Sequence, residues 1–354
     1  MPQPKAQYKL TQLIKDIKDK DTKELRKKFK YKSKELIDHI DWAAYNQAQL
    51  MELDNQLILI RNMVDEAANR IRDVISTKGR EGRPPKNAAN KAKAILVQQY
   101  FMATDRFAAS LVWFLREKLG ITEMLTAKDI ERAYDDSDAI AILIEVFRMS
   151  NEPVRDKETR FSIDGSGMPT SIKQNYANDK DDKGKKAVYD MLIGMIGVNT
   201  KLFTACDIVG PGSESPYLKP LLEETSAIYE QIDSVTADAM YLSKDNCTAI
   251  ANAGGVPYIF PKENTQLNQK GSMAWKKMLL AFIDDPQKWL EEYHMRSISE
   301  SVNSVWKRKY TRPLARKGDD RRKIEAFSRV VCYNIRRLPY LHYLHDISIP
   351  WMGH

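Results

Sequence analysis

The chain of 354 residues predicts a mixed α+β protein: a helical N-terminal region, then an α/β domain with a short insertion, then a basic helical tail. Three observations carry this reading. Helix-like spacing of apolar residues dominates up to about residue 149, period-two alternation first appears at 160, and strand-like and helix-like stretches then take turns. With 43% hydrophobic and 29% charged residues, the chain can bury a sizeable core and form two or more domains. The divisions fall at 1–78, 79–152 and 153–345.

In the first region, Leu50, Leu53, Leu57, Ile60, Val64, Ala67, Ile71 and Val74 alternate by three and four, the seam of a helix that packs on another. An intramolecular bundle is the favoured partner for this seam, and dimerisation is the alternative. The stretch STKGREGRPPKN then breaks the helix with two glycines and two prolines. Gly82-Arg83-Pro84-Pro85-Lys86 reads as a plain linker, or as an arm for a DNA minor groove. Helical spacing resumes at 88, with Gly120 as a stop signal. From 160 the alternation in RFSIDGSGM predicts a strand, followed by strands in VYDMLIGMIGV and LFTACDIVG. PYLKPLLEETSAIYEQI predicts a helix, DSVTADAMYL a strand, SKDNCTAIANAGG a helix capped by Ser243, and VPYIFPK a strand. After a polar loop at 264–274, PQKWLEEYHMRSISESVNSVWKRKY predicts one long helix. Three strands, helix, strand, helix, strand and closing helix is the order of elements in an RNase H-like domain, although pattern alone establishes only a mixed α/β domain.

Charge points to the partner class. The net charge is +8, and the positive residues gather in two blocks: residues 1–35 hold twelve Lys/Arg against five Asp/Glu, and 307–337 hold twelve against three. Two basic blocks suggest two surfaces for a polyanion, or two solvated helices. Cys206, Cys247 and Cys332 lie far apart with no CxxC pair, which argues against a disulfide framework or cysteine zinc site and fits a reducing cytoplasm. No run is long and apolar enough for a leader or a membrane span, so a cytoplasmic protein with no membrane partner is expected. His342 and His345 lack a companion acid cluster, and surface or packing roles fit them best. No phosphate-loop or GxSxG signature is present.

Three carboxylates stand out. Asp164 lies in a predicted strand directly before Gly-Ser-Gly, Asp238 lies near the end of another strand, and Glu300 lies on the long helix. A carboxylate on a half-buried strand needs a positive partner, either a basic side chain or a metal ion. Delivered to one place, three such groups form a cage of hard oxygens suited to Mg²⁺ or Mn²⁺; the alternative is three unrelated surface acids among 48 Asp and Glu. Tyr293, Arg296, Glu300 and Lys307 fall within about 60° on one helix face, while Glu291 and Glu292 point elsewhere.

These residues resemble the DDE transposases of prokaryotic insertion sequences, in the subgroup with a Y-x₂-R-x₃-E-x₆-K signature, which Tyr293, Arg296, Glu300 and Lys307 match without a gap. Asp164 in SIDGSGM and Asp238 in TADAMYLS are similar to that family's first two acids, and the likeness runs from about 80 to 340. The resemblance implies that Asp164, Asp238 and Glu300 are catalytic and bind two divalent ions, Mg²⁺ or Mn²⁺. The activity implied is cleavage of double-stranded DNA at terminal inverted repeats, followed by transfer of the freed end into target DNA. It further implies that Tyr293, Arg296 and Lys307 contact DNA, with Arg83 and Lys86 as candidates in the linker. The helical regions 1–78 and 79–152 would serve DNA binding and assembly, in a homodimer or larger complex associated with a prokaryotic nucleoid. Relatives often carry a long β-rich insertion before the glutamate helix; here only about 25 residues, 262–286, occupy that place, which leaves hairpin-end chemistry open. Trp275 and Trp289 lie nearby and could stack on an extruded base, although core packing fits them better. A metal-dependent nuclease of the same fold that joins no strands, and a transposase-derived DNA-binding protein, are the alternatives.

Overall fold

The computed structural model describes residues 4–19, 41–73, 86–171, 189–267 and 270–353. Arg83 and Val74 therefore lie outside the described residues. The first half is helical as predicted: α1 (Pro4–Asp19), α2 (Trp42–Leu50), α3 (Glu52–Arg70), α4 (Ala88–Tyr100), α5 (Asp105–Phe114), α6 (Arg116–Leu119), α7 (Ala127–Ala133) and α8 (Ser137–Asn151). Local chemistry sets the ends. The Asn87 side chain accepts from the Ala89 and Asn90 amides to start α4, Thr126 and Asp129 form a reciprocal capping box on α7, and Gly120 ends α6 at φ +65°.

The seam on α3 is buried within the molecule. Leu57, Ile60, Val64 and Ala67 are at most 3% exposed, whereas Leu50 is 84% and Leu53 46% exposed. The helix packs on α4, α8 and the last helix, α14 (Asp319–His345). Leu59 and Met63 are also fully buried, so the stripe is wider than a two-position seam and suits a bundle. Lys86 is not a free arm residue, since its Nζ lies 3.5 Å from Glu123.

The sheet has five strands in the order β3-β2-β1-β4-β5. β1 (Arg160–Pro169), β2 (Tyr189–Gly197) and β3 (Phe203–Val209) form an antiparallel meander, and β4 (Ser234–Ala237) and β5 (Val256–Ile259) continue it in parallel from the other side of β1. Helices α9 (Leu218–Ser226) and α10 (Lys244–Asn252) supply the connections that parallel pairing requires. This is the RNase H-like arrangement. The strand predicted over DSVTADAMYL is shorter than its pattern: it stops at Ala237, where the Asp238 side chain accepts from the Met240 amide and turns the chain into a 3₁₀ turn, Ala239–Tyr241.

Beyond β5 the short insertion is helical: α11 (Met273–Asp284) packs against α10, β5 and α1. Leu10 and Ile14 of α1 are buried, and the Gln7 side chain bonds the backbone of Thr265 and Leu267, so the first helix docks on the α/β half of the chain. Trp275 and Trp289 are 5% and 3% exposed; both pack in the core, with no face open to a base. The predicted long helix is divided into α12 (Pro286–Tyr293), a 3₁₀ turn (His294–Arg296) and α13 (Ser297–Lys309). The tightened turn falls within the Tyr-Arg-Glu-Lys face.

The tail corrects one expectation. The second basic block is expected to form a contact surface or a solvated helix, yet Arg322 and Arg329 are buried on α14. Arg329 pairs with Glu325 at 2.7 Å with both side chains about 5% exposed or less, and Arg322 pairs with Asp190 at 2.9 Å. The helix touches α2, α3, α4, α8 and β3, and Arg321, Arg322, Arg329 and Arg336 pair with carboxylates along it, while Lys323 is exposed. On the sheet edge, the buried Asn334 accepts from the Phe203 amide at 3.0 Å and donates to the Phe203 carbonyl at 2.8 Å, which ties α14 to β3 and covers an exposed strand edge.

Glu52, at the start of α3, gathers the helices. Tyr100 and Tyr340 donate to its carboxylate at 3.0 and 3.1 Å, Arg336 lies at 2.7 Å and Lys309 at 3.6 Å. Burial raises its proton affinity, but the Arg336 hydrogen bond and the charges of Arg336 and Lys309 outweigh it, and the carboxyl is held below the ordinary glutamate range. Glu52→Gln is expected to cost roughly 2 kcal/mol, seen as a lower urea midpoint at unchanged slope. A depressed carboxyl stabilises the fold above its unfolded pKa and loses that contribution as pH falls through the folded one, so wild type and variant should converge in acid.

Candidate active site

β1 alternates strictly. Phe161 and Ile163 are fully buried in the core on one face, while Ser162 and Asp164 look at α13 on the other. Ser162 donates to Ser299 at 3.0 Å, and Asn303 donates to Asp164 Oδ2 at 3.0 Å. A strand advances about 6.7 Å in two residues and a helix about 6 Å in four, so 162 and 164 register naturally with 299 and 303. The match seats α13 on β1 and brings Glu300, one residue after Ser299, to the rim.

Register also aligns the two aspartates. Ile163 pairs with Ala237 across the parallel β1–β4 ladder, so Asp164 follows on β1 while Asp238 follows just past the carboxyl end of β4. Asp164 is half-buried, Asp238 is half-buried just past the strand, and Glu300 is exposed. An open groove of about 490 Å³ runs between β1 and α13, lined by Asp164, Gly165, Glu300, Asn303, Lys307 and Arg308 among others. Lys307 and Arg308 are exposed there and give the groove a positive end.

Arg296 is the cation of the centre. Its Nη1 lies 2.6 Å from Glu300 Oε1, and its guanidinium sits 5.9 Å from the Tyr293 ring centroid. Burial opposes its charge, but Tyr293, Glu300 and Asp238 outweigh that effect, and the guanidinium is held more firmly protonated than usual. Tyr293 is stacked on Trp289 at 5.4 Å with an angle of 15° between rings. Burial pushes the Tyr293 hydroxyl up, so it stays neutral. Burial likewise pushes the Asp164 carboxyl above its ordinary range; Asn303 and Arg296 pull it down, and Glu214 and Glu300 push it further up.

Asp164, Glu300 and Lys307 thus share one groove, while Asp238, Tyr293 and Arg296 couple to it through Arg296. Among the described residues no three carboxylates, histidines or cysteines stand close enough to share an ion; Glu300 is turned to Arg296 and Asp164 to Asn303. In donor chemistry the set nevertheless fits Mg²⁺ or Mn²⁺: Asp164, Asp238 and Glu300 offer hard carboxylate oxygens around one guanidinium, and Asp164 and Glu300 line the open groove. Glu292 pairs with Arg160 at 2.9 Å, at the opposite end of β1 from the groove. His342 meets the Ile347 carbonyl at 3.0 Å, a packing role.

Two residues of the centre were missed in the sequence. Asn303 was findable, because it lies one helical turn beyond Glu300 and faces the strand. Glu214, in the turn after β3, carried no signal.

Comparison with known proteins agrees with this architecture. The family described as the transposase DDE domain matches residues 155–335. A probable transposase for insertion sequence element ISA1214, from Archaeoglobus fulgidus, is 23% identical over 327 residues, covering 90% of this chain and 93% of the relative. Two solved structures, a Mos1 transposase paired-end complex with left transposon end and a pre-cleavage Mos1 transpososome, are each 10% identical with a TM-score of 0.21. They cover 67% of this chain and 84% of theirs. At that score they add nothing to what the strand order already establishes.

The desolvated Asp164 carboxylate works against folding. A carboxyl with a raised folded pKa weakens stability above that pKa and is harmless below the unfolded one. Asp164→Asn, which can still accept from Asn303, should therefore melt a few degrees higher than wild type at neutral pH. The gap should close as pH falls through the carboxylate range, as followed by thermal denaturation at stepped pH.

Proposed function

The chain belongs to the transposase DDE domain family, and from that premise we propose that Asp164, Asp238 and Glu300 are the catalytic acids of a DNA transposase that cuts at element ends and joins them to target DNA. The observation that carries this reading is the pairing of Ile163 with Ala237 across the parallel β1–β4 ladder, which puts Asp164 and Asp238 each one residue further along, beside a helix that presents Glu300. The three carboxylates would hold divalent ions, Mg²⁺ or Mn²⁺, which when bound supply Lewis-acid stabilisation of the reacting phosphodiester.

The remaining work belongs to the chain's own side chains. Asn303 fixes the orientation of Asp164 through one hydrogen bond. Arg296, kept protonated by its neighbours, offers planar donors to a phosphate once a strand enters, and Glu300 is released from it toward the groove. Tyr293, held by its stack on Trp289, donates its neutral hydroxyl to the backbone near the cut, and Lys307 carries the strand along the groove. In the first reaction water attacks a phosphodiester, the P–O3′ bond breaks and a 3′-hydroxyl is released. In the second, that hydroxyl attacks a target phosphodiester, loses its proton, and displaces the target strand's 3′-oxygen. The helical region, including Lys86 beside the linker that holds Arg83, would engage the terminal repeats, with a homodimer or larger assembly pairing two ends.

A labelled duplex carrying the repeats that flank the gene tests this directly. Wild type should cut at the repeat end and join the product to a second duplex only with Mg²⁺ or Mn²⁺, while Asp238→Asn and Glu300→Gln should lose both activities by at least about a thousandfold. Equal activity in the variants would reject these acids, and cutting without joined product would identify a nuclease. Lys307→Ala should weaken duplex binding evenly across sequences and reduce the salt slope of affinity by about one.

A further inference from the structure

Glu214 lies in the turn between β3 and α9, where the 3₁₀ turn Ser215–Tyr217 begins. Its carboxylate rests on the backbone of β1 at Gly165, the residue directly after Asp164. A Cβ at 165 would meet the three carboxyl atoms of Glu214 at 2.3–2.4 Å, so glycine there is what lets the acid approach. Because successive strand residues face opposite ways, Glu214 comes from the face opposite α13. Asp164 thus has Glu300 on one side and Glu214 on the other, and both acids push its carboxyl up.

The acid is aimed from a second direction. Tyr241, fully buried, donates its hydroxyl to Glu214 Oε2 at 2.8 Å. Tyr241 ends the 3₁₀ turn that Asp238 starts, so this one bond links the turn after β3 to the turn after β4 beside the middle of β1. Among the described residues no lysine or arginine forms an ion pair with Glu214, although it is half-buried and in electrostatic reach of other acids. Its charge thus has no basic partner among the described residues, and a cation arriving from solution would supply one.

We propose that Glu214 is a fourth acidic residue of the centre, held by Tyr241 over Gly165, and that it helps Asp164 and Asp238 retain a divalent cation. The inference rests on the assignment of Asp164, Asp238 and Glu300 above. A purely structural role for Glu214 requires only an acceptor for the Tyr241 hydroxyl, whereas an ionic role requires its charge. Glu214→Gln separates the two, because glutamine keeps the acceptor and the shape.

The decisive measurement is Mn²⁺ affinity of the full-length protein by calorimetry, with the Mg²⁺ concentration for half-maximal cleavage as a second readout. Glu214→Gln should weaken Mn²⁺ binding roughly ten- to hundredfold and shift the Mg²⁺ requirement upward, with an unchanged melting profile. Tyr241→Phe, which keeps the charge but releases its aim, should move both readouts the same way by less. Mn²⁺ affinity equal to wild type in Glu214→Gln, with Asp164→Asn impaired, would overturn the role of Glu214 alone. Unchanged affinity in Asp164→Asn as well would overturn the acidic centre on which the proposal stands.

Discussion

A carboxylate that has lost much of its water sits at the middle of the central strand, and the catalytic half of the molecule is organised around that constraint. Asp164 cannot be accommodated by apolar packing, since an unpaired buried charge costs several kcal/mol. Its neighbours answer in kind: Asn303 donates from α13, and Arg296 supplies positive charge from the 3₁₀ turn. The same contacts seat α13 on β1, so the arrangement that satisfies Asp164 also positions Glu300 and Lys307 at the groove. Structure and chemistry depend here on one set of bonds.

Arg296 illustrates how the balance is kept. With Glu300 at 2.6 Å and with Tyr293 and Asp238 acting on its charge, it offsets acids that would otherwise repel across a shared cleft. A site built so is less stable than an apolar one of the same volume, and the cost is carried elsewhere, in the long α14 helix and its contacts. That helix joins the helical bundle to the edge of the sheet. Its arginines form internal ion pairs, and Asn334 closes the β3 edge. The molecule therefore spends many of the cations of its C-terminal basic block on cohesion, and leaves Lys307 and Arg308 exposed at the groove.

Much of this was written in local pattern. The alternation of Phe161 and Ile163 against Ser162 and Asp164 determined β1, Ser243 and Gly120 marked helix ends, and the spacing of Tyr293, Arg296, Glu300 and Lys307 marked one polar face beside the groove. These are short-range properties: side-chain period, capping chemistry and glycine conformation act over a few residues. The α3 seam was legible as a packing face, although which helices would cover it was not.

What the tertiary structure alone decided are the relations across long sequence distances. The end of β4 at Ala237, the 3₁₀ break inside the predicted long helix, and the inward course of the tail arginines all follow from partners that no window of sequence contains. Glu214 is the clearest case. In GPGSES it is one acid in a polar turn, and only the folding of that turn over Gly165, 49 positions earlier in the chain, places it beside Asp164. Sequence alone determined which residues could carry the chemistry, because composition and spacing are local. Folding decided which of them meet, because a side chain's electrostatic environment is set by whatever the sheet and its helices bring within a few ångströms.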